Sequence, residues 1–345
     1  MKYIIISITL SLCYCSCKEK TSVLFSFREE IELASSSTID LDALNILRPF
    51  SVSILDSLFI FSNWETPYNV SILNIKNNQV TEAIPTGNGP EEVIGYLSVK
   101  RNKGKSFMFA NRFKKKVYSL AYANGDVTIN HEMQMNDSIP NLFCIAELNP
   151  ETFISTVFFT EGRFLVHHKN NDYFYGGEYP ENEDIKRISS RHKAALYNTT
   201  KIGIHPDGDK FVLIYQGLLD IYELSLSSNI KHIKANHYFF PLFMSYETGS
   251  PIIYNRDCKV GFIDIDCDDS YIYMLYTDMG IADMYQKHNS PWGNIITVFD
   301  WNGSPQMVYH LDRNINSLCV KNKSIWGISP DFMELYEFII PEQAN

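Results

Sequence analysis

The stretch "KIGIHPDGDKFVLIY", residues 201–215, decides how the rest of the chain is read. Ile202 and Ile204 alternate with Lys201 and Gly203, the pattern of a strand. His205 to Gly208 carry Pro, Asp and Gly, which make a tight turn. Phe211, Leu213 and Tyr215 then share one face of a denser apolar return strand. The same figure occurs five more times: "FSVSILDSLFIF" (50–61), "SVKRNKGKSFMF" (98–109), "IAELNPETFIS" (145–155), "FIDIDCDDSYIYMLY" (262–276) and "LCVKNKSIWGI" (318–328).

One apolar anchor from each return strand gives Ile60, Met108, Phe153, Phe211, Ile272 and Ile325, spaced by 48, 45, 58, 61 and 53 residues. An all-β unit of that period, with one or two further strands after each hairpin, predicts a six-bladed β-propeller. No 3.6-residue periodicity persists, so helical repeats of similar length are excluded. After Ile325 only "MELYEFII" (333–340) reads as a strand, which leaves the last blade one strand short. "SVLFSFREEIEL" (22–33) has no other partner, and it is expected to complete blade six and close the ring.

"TGNGPEEV" (86–93) invites comparison with a phosphate loop. However, Pro90 donates no N–H, and Glu91 and Glu92 repel anions. It reads as a connector from the rim of blade one to the axis of blade two, with Pro90 opening a single helical turn.

The chain has 345 residues, 45% of them hydrophobic, and a net charge of −10. That supports a large core and argues against nucleic acid, which requires clustered Lys and Arg. Residues 1–16 read as a signal peptide: Lys2, an apolar run from Tyr3 to Leu12, then "LCYCSC". Cysteines after such a run resemble the lipobox of bacterial lipoproteins. Small Ser16 before Cys17 makes Cys17 the expected acylated residue, with Cys15 the alternative because Leu12 lies three before it. Residues 17–21 would be the lipidated tether and 22–345 the propeller. The membrane is then reached through the lipid alone. Cys144, Cys258, Cys267 and Cys319 are dispersed, and read as small buried hydrophobes.

Gly-x-Gly-Pro-x-Glu between the first two blades, with "YIYMLYTD" (271–278), "VFDWNGSP" (298–305) and "YHLDRNINSLCV" (309–320), resembles the TolB-like six-bladed propeller family of Bacteroidetes lipoproteins. The resemblance spans nearly the whole mature chain. It implies a propeller with a periplasmic or surface address at the outer membrane, and it carries over no catalytic residues. Within "FDWNG", Asn302-Gly303 suits a type I′ hairpin turn with Trp301 packed beside it.

No Gly-x-Ser-x-Gly is present. Ser190-Arg191-His192-Lys193 fits Ser-x-x-Lys, but no helix is expected there. His131-Glu132 lacks a second histidine four residues on, and His167-His168 point to opposite faces of a strand. Asp264, Asp266 and Asp268 are the candidate ligands if a metal is held, calcium being the ion that suits oxygen donors. The competing reading of that run is a hairpin turn. No cofactor is expected.

Two functions fit. One is a non-catalytic binding or scaffold lipoprotein that takes a protein, peptide or glycan through loops on one face. The other is an envelope lyase or hydrolase with its site at the channel mouth. Blade five carries a long segment at about 277–294, with Tyr285, His288 and Trp292. Trp64, Arg112, Arg163 and the connector at 87–92 are expected on the same face.

Overall fold

The computed structural model describes residues 26–342 apart from 90, 101–106, 141, 171, 226–229, 245–251 and 289, with backbone only at 287 and 288. Twenty-four of its strands form six four-stranded antiparallel blades. Blades one and four are separate sheets, built from residues 49–85 and 201–237. Blades two and three share one eight-stranded sheet, because their inner strands Tyr96–Lys100 and Cys144–Asn149 pair in parallel at Val99–Ile145 and Lys100–Ala146. Blade five covers residues 259–315 and blade six begins with Ser317–Lys321.

The second strand of each blade is apolar on both faces because neighbouring blades cover both. In Lys210–Tyr215, Phe211 and Leu213 pack toward blade three with Ile154 and Val166. Val212 and Ile214 pack toward blade five with Phe262 and Ile272. A half-buried strand alternates; a strand buried twice does not. All six anchor residues lie in these second strands and are buried. Six core clusters form a ring, one in each gap between successive blades, and a seventh, with Ile185, Leu196, Tyr197, Tyr215 and Leu218, packs the insertions onto blade four. The gap between blades six and one is filled by Val52, Phe59, Phe61, Cys319, Ile328 and Leu335, so the ring is closed.

Closure joins the two ends of the chain, but through a different segment from the one the sequence suggests. Ser35–Asp40 is the outer strand of blade six, antiparallel to Glu334–Ile339 from Ser35–Phe338 to Asp40–Glu334. Glu29–Leu33 lies in blade five, as a fifth strand parallel to Pro305–Ile315. Ile31 and Leu33 find apolar neighbours there, whereas "SSSTID" has little to bury and is held by backbone pairing and by Glu337, which accepts from Ser37 Oγ at 2.9 Å.

Two insertions break the repeat. Residues 177–200 between blades three and four hold a 3₁₀ turn (Ile185–Arg187) and helix α1 (Ser190–Leu196), capped by Ser189 Oγ accepting from His192 N at 3.3 Å. A helix therefore does stand at Ser-x-x-Lys, but Lys193 forms an ion pair with Glu181, away from Ser190. Residues 238–258 between blades four and five hold a short hairpin, Phe243–Met244 with Ile253–Tyr254. The loop of blade five is shorter than expected, because Tyr271–Gly280 stays paired as far as Lys259–Gly280. The loop proper is 281–292, with a helical turn and a π turn.

Local turns differ in detail. Asn302-Gly303 is not type I′: only Gly303 has a positive φ (76°), and Asp300 Oδ1 organises the turn by accepting from Asn302 N at 2.9 Å and Ser304 N at 2.8 Å. Trp301 is buried and donates from Nε1 to the Asp268 carbonyl at 3.0 Å. In the connector, Glu92 folds back to accept from Gly89 N at 2.8 Å. A Cβ on Gly87 would sit 2.0 Å from that carboxylate, so a side chain there would displace the folded-back Glu92. No helical turn is formed at 91–93, and Pro90 lies outside the described residues.

Candidate functional site

The inner strands carry charge into the channel. Asp264 and Asp266 lie on the inner strand of blade five (Lys259–Cys267), Lys100 on that of blade two and Lys201 on that of blade four. Asp264 pairs with Lys201 Nζ at 3.0 Å and accepts from Ser317 Oγ at 3.0 Å and Leu318 N at 2.9 Å. Asp266 accepts from Val320 N at 2.7 Å, and Lys100 Nζ donates to the Ile265 carbonyl at 3.2 Å. Burial disfavours the Asp264 carboxylate, but Lys201 and Lys100 outweigh it and hold its pKa at about 2. At Asp266 burial wins and raises the pKa.

The run at 264–269 therefore divides. Asp264 and Asp266 tie blade five to blade six within the strand. Asp268 alone makes the turn, accepting from Ser270 N at 2.8 Å and Tyr271 N at 2.7 Å. The three do not converge on a common point. Among the described residues no group of three or more His, Cys, Asp and Glu is placed to hold a metal.

Above the channel, on the face formed by the loops between second and third strands, lies a cavity of about 1350 Å³. Every blade contributes to it: Phe50 and Trp64 from one, Arg112 from two, Phe143 and Phe158 from three, Lys201, Tyr215 and Gln216 from four, Val260, Ile263, Met284 and Tyr285 from five, and Asn316 and Phe332 from six. Both insertions add walls, with Arg191 and His192 on α1 and Ile252 and Tyr254 on the short hairpin. The Tyr215 and Tyr254 hydroxyls lie 2.6 Å apart, and Tyr254 donates to the Leu196 carbonyl at 2.9 Å, clamping the insertions together. Trp64 and Tyr285 stand exposed on the rim, at 55% and 67% of their surface.

Of the residues singled out by sequence, the structure brings Trp64, Arg112 and Tyr285 onto this cavity. Trp292 is half-buried beside it and does not line it. The His288 side chain lies outside the described residues, as does Cys17. Arg163 is corrected: it is 1% exposed, ion-paired with buried Asp220, and faces no ligand space. Asp220 also accepts from His232 Nε2 at 3.0 Å and His237 Nε2 at 2.9 Å. Although Asp220 is buried, Arg163 and the two histidines hold its carboxyl far below the usual range. His167 is buried and stacked on Phe153, and burial lowers its pKa to about 3. The four body cysteines are free thiols, three of them buried and Cys144 partly so.

Sequence reasoning passed over Asn316, Arg191, Lys201 and the two tyrosines. The long anchor spacings of 58 and 61 residues were the available sign of the insertions. "SRHKAAL" after Ser189 was a legible helix start. Among the cavity groups, Asn316 Nδ2 and Oδ1 and Arg112 Nε are buried without a hydrogen-bond partner. Such a group costs about 1–3 kcal/mol when left unmet, so a side-chain movement that brought these inaccessible atoms to a ligand would be favoured.

The sequence model described as "TolB-like 6-blade propeller-like" matches residues 26–323. The chain belongs to that family. Among solved structures, it is similar to a functionally unknown protein from Desulfotomaculum acetoxidans DSM 771, at 12% identity and a TM-score of 0.43, covering 76% of this chain and 75% of that one. It is also similar to the β-propeller domain of Myceliophteria thermophila Cps50 (Swd1), at 7% identity and 0.45, covering 85% and 84%. No curated protein matches in sequence.

Proposed function

We propose that this TolB-like propeller is a non-catalytic binding or scaffold lipoprotein of the cell envelope, exported and anchored through Cys17, which takes its ligand or protein partner at the loop-face cavity. The observation that carries this reading is the convergence of all six blades on one aromatic-lined cavity with Trp64 and Tyr285 exposed at its rim. A concave, largely apolar site with a few convergent polar groups is what a binding pocket requires. Exposed aromatics supply contact area at little entropic cost.

The alternative is an envelope enzyme, a lyase or hydrolase, working in the same cavity. The observation in its favour is that Lys201, which lines the cavity, is paired with a buried carboxylate, Asp264, behind it.

A thermal-shift screen of peptides, glycans and candidate partner proteins separates the two, run on the wild type and on Trp64→Ala/Tyr285→Ala. Binding predicts a ligand that raises the wild-type Tm, raises the variant's less, and is recovered chemically unchanged. Recovery of a cleaved product favours the enzyme. Ligands that shift both proteins equally bind elsewhere, and would overturn the choice of this cavity.

A further inference from the structure

We infer that the cavity takes an acidic peptide segment bearing apolar side chains, a deepening that rests on the cavity being the binding site. The chain has 40 acidic and 30 basic residues, yet among the described residues that line the cavity there is no Asp or Glu. Arg112, Arg191 and Lys201 do line it, with His192. Lys201 is already neutralised by Asp264 at 3.0 Å, so the uncompensated charges are Arg112 and Arg191, which come from blade two and from the insertion before blade four. A positive cavity in an otherwise negative molecule focuses the field on an anion and repels cationic competitors.

The remaining chemistry chooses among anions. The wall from blade five is mostly apolar, with Val260, Ile263 and Met284 beside the rings of Phe262 and Tyr285. Sugar hydroxyls would lose their water there without gaining partners, whereas Leu-, Phe- or Met-type side chains would gain from burial. Asn316 lines the cavity with its amide unpartnered and turned away from solvent, and a side-chain rotation would present donor and acceptor together, the complement of a peptide unit's C=O and N–H. A volume of about 1350 Å³ exceeds the roughly 300–1,000 Å³ of a site for one small molecule, and accommodates several residues of chain. These features together favour an acidic peptide over an acidic glycan.

Fluorescence polarisation with three labelled probes tests this: a peptide pool with Glu alternating with Leu, Phe and Met, a matched pool with Lys in place of Glu, and oligogalacturonate. The Glu pool should bind, with the Lys pool roughly tenfold weaker or worse. Arg191→Glu, at an exposed position in the first turn of α1, should weaken the Glu pool by about the same factor at an unchanged Tm, and Arg112→Gln should weaken it further. Raising salt to about 0.5 M should weaken it too. Equal binding of both pools overturns the charge argument. Oligogalacturonate bound in an Arg112-dependent manner while the Glu pool is not overturns the peptide in favour of an acidic sugar. If neutral ligands still shift the wild type and not the rim variant, the cavity reading stands and the acidic peptide falls. If no probe class binds in a cavity-dependent way, both fall.

Discussion

Asp264 on blade five accepts a hydrogen bond from the backbone N–H of Leu318 on blade six, at 2.9 Å. Outside the paired blades two and three, the inner strand of a blade is a sheet edge facing the channel, and its outward N–H groups have no strand to pair with. Asp264, and Asp266 at Val320 N, supply that pairing with side chains, so two carboxylates do at this seam what a direct parallel strand pair does between blades two and three.

That role makes Asp264 a pH-dependent fastener. Its pKa is about 2 in the folded chain against an ordinary 3.8, so its contribution is complete above about pH 4 and is lost as pH falls toward 2. The shift corresponds to about 2 kcal/mol. Asp264→Asn should lower stability at neutral pH by about that amount and flatten the stability profile below pH 4 relative to wild type. Denaturant melts from pH 2 to 7 measure this; parallel profiles for the two proteins would contradict it.

Arg163 should behave as a structural residue. Arg163→Met leaves Asp220 buried without its cation and is expected to cost about 3 kcal/mol, the two histidines compensating in part. Unfolding by urea gives the number. A change below about 1 kcal/mol would place the pair in the class that contributes little.

The closing strand can be located by truncation. Among the described residues, removing those through 34 deletes the fifth strand of blade five and the Phe27–Phe299 contact, and should leave a cooperative, less stable protein. Removing residues through 40 deletes the outer strand of blade six, and cooperative folding should be lost. If both truncations melt alike, the assignment of closure to Ser35–Asp40 is wrong.

Trp64→Ala and Tyr285→Ala should each leave stability within about 0.5 kcal/mol, because both side chains are mostly exposed. A drop of several degrees in Tm at Tyr285 would instead mean that it caps the blade.

The anchor is tested at the mature N-terminus. Intact-mass and peptide mass spectrometry should find an acylated Cys17 as the first residue, consistent with a lipid carrying more than one chain. Acylated Cys15, or an unmodified start beyond residue 17, would exclude it.

The sequence by itself determined the architecture. Blade number and blade positions were legible because both faces of each second strand are buried, and that requirement writes an apolar run once per blade, from Ile60 to Ile325. The turn at 205–208 was legible too, because Gly208 has a φ of 72°, which favours glycine locally; that a Cβ there would also lie 1.8 Å from the Leu148 carbonyl of blade three was not. Tertiary structure alone decided the rest. Whether "REEIEL" or "SSSTID" closed the ring depended on which neighbour offered Ile31 and Leu33 an apolar surface, which no local pattern records. The two arginines read as ligand contacts look alike in the chain. They were separated only when folding set buried Asp220 beside Arg163 and left Arg112 facing the cavity. Asp264 and Asp266 likewise read as a turn or a metal site until blade six placed its unpaired N–H groups within reach of their oxygens. Propensity and burial periodicity act over a few residues, whereas a charge takes its role from partners more than fifty positions away.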